Sequence, residues 1–134
     1  MKLQVWSVLQ NWVNLHAMSP DGNTALHLAC CLETHDMFQY LVDELGADLL
    51  ESNHSGLTLL HQAALHNKTY IITHLVCKAG FDVDIRTSEG NTPLHYACFH
   101  KHEYSSTWLI GFGADINAQN LDGNTPLHLL MKRA

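Results

Sequence analysis

The chain lacks a CxxC pair, lacks an apolar run near the roughly 18 residues that a membrane span needs, and is poor in positive charge. Seven Lys and Arg stand against thirteen Asp and Glu, for a formal net charge of −6. An acidic chain repels phosphate backbones and anionic lipid surfaces, which argues against nucleic acid as a partner and against membrane insertion. The four cysteines, Cys30, Cys31, Cys77 and Cys98, have spacings that fit neither a zinc site nor a disulfide framework. They read as reduced thiols of a cytoplasmic or nuclear protein. The first residues, MKLQVWSVLQNW, are interrupted by Gln, Ser and Asn, unlike the apolar core of a signal peptide, and carry no Arg-rich transit face. Each glycine stands alone at a turn, so no phosphate-binding loop is present. No pair of acids recurs around a polar pocket. Neither catalytic residues nor a cofactor are therefore expected.

What is present is core-forming material and a period. Hydrophobic residues make up 46% of 134 positions, enough for one domain with an interior. The segments DGNTALHLAC, SGLTLLHQAA, EGNTPLHYAC and DGNTPLHLLM align around Gly22, Gly56, Gly90 and Gly123, which lie 34, 34 and 33 residues apart. Further segments, LVDELGADL, LVCKAGFDV and LIGFGADIN, align downstream of the first three. A TxLH block recurring four times at one spacing is an internal repeat.

Each repeat has a physical reading. Thr24, Thr58, Thr92 and Thr125 stand at helix N-caps, where a hydroxyl takes up a free backbone N–H. Pro93 and Pro126 follow at the first helical position, where the missing N–H costs nothing. Small residues, Ala29, Ala63 and Ala97, let neighbouring helices approach. A polar turn such as His66-Asn67-Lys68 leads to a second helix with apolar residues at helical spacing. Gly46, Gly80 or Gly113 ends it as a C-cap. One unit cannot bury its apolar face alone, but a stack can.

The period, the TPLH block and the GAD-hydrophobic-Asn tail closely resemble ankyrin repeats. The resemblance implies an all-α solenoid of stacked helix-turn-helix units with β-hairpin fingers. Residues 19–134 form the domain, with repeats near 20–53, 54–87 and 88–120 and a partial one at 121–134. Residues 1–18 are expected to be an N-terminal cap or the remnant of a preceding repeat, with Val5, Trp6, Leu9, Trp12 and Val13 at helical spacing. The chain is expected to be a fragment of a longer array or multidomain protein. Repeats one and two carry an extra residue, expected between their helices. Ser105 replaces the usual Val or Ile, which suggests local loosening. Trp108, on a second helix, is expected to pack in the core.

The resemblance also orders the candidate chemistry. His27, His61, His95 and His128 belong to the TxLH blocks, where the imidazole bonds to backbone and to the cap Thr. His66 and His100 occupy equivalent slots with His102 nearby. Adjacent repeats stand about 10 Å apart, too far for those slots to share a metal ion unless side chains converge. Cys30 and Cys98 fill the small slot of Ala64 and read as buried hydrophobes.

The two slots after the small pair face the groove of such arrays. They hold Cys31 and Leu32, Leu65 and His66, Phe99 and His100, and Met131 and Lys132. Exposed apolar surface of this kind marks a binding site, the alternative being that Leu65 and Phe99 tuck against the finger bases as extra core. Leu32, Leu65, His66, Phe99 and His100 are therefore candidate contacts. Glu89, Asn91, Asp122 and other finger residues, Asn124 among them, form a polar, acidic rim. The function expected is a non-catalytic, monomeric module that holds a protein or peptide segment on its concave face, favouring a basic or neutral partner. The alternative is a regulatory or substrate-recruiting domain of a larger enzyme, ubiquitin-ligase adaptor or channel. Asn117 matches the family's hydroxylated hairpin Asn, with Leu109 eight residues before it.

Overall fold

The computed structural model describes residues 20, 22–29, 36–43, 46 and 49–133. The expectations for Val5 to Val13, Cys30, Cys31 and Leu32 lie outside the described residues. The described elements are all helical and come in pairs. α1 (Ala25–Ala29) and α2 (Asp36–Asp43) belong to the first repeat. α3 (Leu59–Leu65) is followed by α4 (Thr69–Thr73), which continues as one π-helical turn, His74–Lys78. α5 (Pro93–Phe99) and α6 (Glu103–Gly111) form the third pair, and α7 (Pro126–Arg133) opens the fourth repeat.

First helices stack on first helices, α3 on α5 and α5 on α7, while α4 stacks on α6. The small slots work as expected, because Ala29, Ala63 and Ala97 are all buried. Around them Leu59, Leu60, Ile71, Ile72, Leu75, Leu94 and Leu109 make one continuous core. The turns between paired helices are copies of one another. Asn67 and Lys101 both take left-handed backbone, φ 58° and 57°. Lys68 N and His102 N donate to Ala63 O and Ala97 O at the same 2.8 Å.

The identical turns relocate the extra residue of repeat two. It lies in the second helix, not between the helices. Phe81 N bonds Leu75 O, whereas its counterpart Ala114 N bonds Leu109 O, one residue closer in sequence. The π turn absorbs the insertion, as such turns do within α-helices. It does so without displacing the stacked face, since Leu75 and Leu109 are both fully buried.

Ser105 and Trp108 also correct expectation. Ser105 is fully buried and donates to Asn67 Oδ1 at 2.6 Å, tying α6 to the turn of the preceding repeat. It is a tether, not a loosening. Trp108 is 49% exposed. Ser105 and Leu109, four apart, form the inward stripe of α6, which leaves Trp108 on its flank against Phe112.

The fingers are tight turns, and no β-ladder occurs among the described residues. Asn53, Thr87 and Asn120 occupy one slot and build each tip alike. Asn53 Oδ1 accepts from the backbone N–H groups of Ser55 and Leu57. Thr87 Oγ1 accepts from Glu89 and Asn91, and Asn120 Oδ1 from Asp122 and Asn124. Consecutive tips are joined by Ser88 N to Ser55 O and Leu121 N to Glu89 O. This close approach is why Gly90 is a glycine. Its φ is +80°, and a Cβ there would stand 3.0 Å from Leu121 N.

Candidate protein-binding groove

The floor of the concave face is set by the Thr–His junction at the start of each first helix. In all four repeats the Thr backbone N–H donates to His Nδ1, at 3.3 Å for His27, 3.1 Å for His61 and 3.0 Å for His95 and His128. A backbone N–H can only donate, so Nδ1 is the acceptor and the proton sits on Nε2. From there the ring donates to the next finger. His27 reaches Leu57 O, His61 reaches Ile85 O and Asn91 O, and His95 reaches Asn124 O. The histidines thus splice one repeat to the next, in keeping with the rule that buried polar groups are bonded.

Burial favours the neutral ring at His61 and His95. Desolvation lowers the His61 pKa from 6.5 to about 4, against the opposing pull of the Ile85 and Asn91 carbonyls. Desolvation likewise lowers that of His95.

Between α5 and α7 the concave face opens into a groove of about 310 Å³. Tyr96, Phe99 and Leu129 supply its apolar lining, and His95 also borders it. Asn91, Asn120, Asn124 and Asp122 supply the finger side, and Lys132 comes from the last turn of α7. Asn120 Nδ2 donates to Asn91 Oδ1 at 2.9 Å, which holds two of these amides in place.

Of the candidate contacts named from sequence, the structure brings Phe99, Asn91 and Asp122 together in this groove. Glu89 is exposed at the neighbouring tip. Leu65 is half-buried one repeat away, and its carbonyl accepts from His102 Nε2 at 2.8 Å. His66 is exposed, and desolvation, Lys68 and His102 lower its pKa. His100 is half-buried, edge-on to Phe99 and stacked on His102 with ring centroids 5.8 Å apart. Among the described residues, no group of three or more His, Cys, Asp or Glu is placed to hold a metal ion. Asn117 is exposed, and its backbone N–H bonds Asp115 Oδ1.

Sequence reasoning missed Tyr96, Asn120 and Leu129. A signal for Tyr96 was available, since it precedes Phe99 by three residues and so shares its helix face. Cys98 is half-buried against the core, and burial raises its thiol pKa, which disfavours the thiolate.

A stack of helix-turn-helix units with a groove between fingers and first helices defines a repeat solenoid. A family model described as ankyrin repeats, in three copies, matches residues 3–87 and 60–133. The chain belongs to the ankyrin-repeat family. Ankyrin repeats are generally protein–protein interaction modules, and the family is typically non-catalytic. No curated protein matches the chain. Among the described residues, no helix is long and apolar enough to cross a membrane.

Proposed function

We propose that the chain is a non-catalytic binding module that holds a segment of a partner protein in the concave groove between α5 and α7. One observation carries this reading. An aromatic pair on one helix, Tyr96 and Phe99, meets Leu129 of the next across a groove rimmed by amides and charges. An apolar centre inside a polar rim is how protein interfaces are built, and aromatic residues dominate their energetics. Leu65 and His100 extend the contact surface, and Glu89 adds to its acidic edge. Free thiols at exposed Cys77 and half-buried Cys98 suit a reducing compartment, the cytoplasm or nucleus.

Phe99→Ala tests the site. Partner binding should weaken by about 2 kcal/mol or more, the scale of a hot spot. Stability should fall by less than the roughly 3–5 kcal/mol of a fully buried Phe→Ala change. Full affinity in this variant would remove the groove as the site. Asn117, exposed at the base of the last finger, is also proposed as an acceptor for an asparaginyl hydroxylase. Mass spectrometry of its peptide from the native source should show one added oxygen, and an unmodified peptide alone would dismiss the idea.

A further inference from the structure

The groove carries opposite charges on its two sides, and this says what kind of segment it takes. Each first helix begins at a finger and ends at a turn, so fingers and turns form two edges of the concave face. Asp122 and Glu89 are exposed on the finger edge. Lys132 is exposed at the end of α7, and Lys101 in the turn after α5. Asp122 and Lys132 line the same groove as Tyr96, Phe99 and Leu129.

Acid before a helix and base at its end also offset the helix dipole. That explanation concerns stability alone. It does not account for both charges lining one groove with an aromatic wall. When a partner covers such charges they lose water, and each then needs an opposite charge. A like charge brought against either one is repelled.

Resting on the groove reading above, we infer that the preferred occupant is a peptide segment with an apolar anchor flanked by one basic and one acidic residue. The anchor sits against Phe99 and Leu129. The basic residue faces Asp122 and Glu89, and the acidic residue faces Lys132. A segment of one sign would satisfy one edge and be repelled by the other. The two edges together also fix the direction in which the segment lies.

The test is selection from a displayed library of random peptides, with the chain as bait in four forms. These are wild type, Phe99→Ala, Glu89→Lys with Asp122→Lys, and Lys132→Glu. Asp122→Asn serves as a milder fifth form that keeps the shape of the finger turn. Thermal melts check that every form folds. Wild type should enrich peptides with an apolar residue between charges of both signs. A synthetic peptide from that set should lose roughly tenfold or more in affinity for each charge-reversed form, the scale of like-charge juxtaposition. It should lose less for Asp122→Asn. Peptides selected on the finger-reversed form should exchange their basic residue for an acidic one. Binding that needs Phe99 but tolerates both reversals would overturn the charge rule and leave the groove reading standing. No enrichment, or enrichment indifferent to Phe99, would overturn both.

Discussion

His61 and His128 stand in the same four-residue motif and make the same bonds to their cap threonines, at 3.1 and 3.0 Å from the Thr backbone nitrogens. Their surroundings differ. His61 is fully buried, with a following finger that accepts its Nε2 proton through Ile85 O and Asn91 O. His128 is exposed, and among the described residues no later finger receives its ring. Local chemistry is therefore identical in the two repeats, while burial and onward bonding come from the neighbour. In a one-dimensional stack, stability lies largely in those interfaces.

The sharpest way to break the comparison is to remove each imidazole. His61→Ala strands the Thr58 N–H and two carbonyls in a buried site, and unsatisfied buried groups cost about 1–3 kcal/mol each. A loss of about 3–4 kcal/mol is expected in urea melts. His128→Ala should cost about 0.5 kcal/mol or less, as exposed substitutions do. Equal losses would mean that the following finger adds nothing to the junction.

Acid should weaken the buried junction at His61. The folded state holds His61 neutral down to about pH 4, whereas an unfolded imidazole protonates near 6.5. Unfolded chains thus bind the extra proton between those values, and stability falls as pH drops through that window. The neutral-ring contribution is fully present above pH 6.5 and gone below pH 4. At about 1.4 kcal/mol per unit it amounts to about 3 kcal/mol. His95, whose pKa is also lowered, adds in the same direction. His61→Gln carries no such titration, so its stability should fall less between pH 6.5 and 4. Parallel pH profiles for the two proteins would rule out burial of a neutral His61.

The finger glycines repeat the contrast. Gly90 and Gly123 have nearly the same φ, +80° and +79°, but a Cβ at Gly90 would press on Leu121 N and Asn120 Cα, while one at Gly123 would meet nothing within 4 Å. Positive φ alone costs about 1–3 kcal/mol. Gly90→Val should exceed that range, and Gly123→Val should stay within it. The smallest effect is expected at Ser105. Ser105→Val restores an apolar residue but strips Asn67 Oδ1 of its donor, so a net loss of about 1 kcal/mol is expected. A more stable variant would show that the hydroxyl contributes less than packing.

Much of the fold was legible because it is local and recurs. The Thr–His junction needs only residues three apart, and the cap prolines and finger glycines act within one turn of chain. The groove was legible in part. Phe99, Asn91 and Asp122 were found from their slots, whereas Leu129 stands on α7 and Asn120 at the base of the finger before it. Their relevance depends on how closely α7 and its finger approach α5. Trp108 misled because helical spacing alone did not say which of two neighbouring positions on α6 faces inward. The extra residue of repeat two misled for a related reason. A spacing of 34 says that a residue is added, but only the hydrogen bonds of Leu75 and Phe81 place it in the π turn.

The sequence by itself determined the repeat, its caps and turns, and the pairing of each TxLH imidazole with its cap Thr. Each depends on bonds between residues a few positions apart, and four copies of one pattern leave little room for another reading. The tertiary structure decided which histidine is buried, what Ser105 tethers, and that Asp122 and Lys132 border one groove. Those outcomes rest on contacts between residues about a repeat apart in some cases and on the relative rotation of stacked helices in others. Such distances are set by how side chains pack across the interface, and no spacing along a single strand of sequence encodes them.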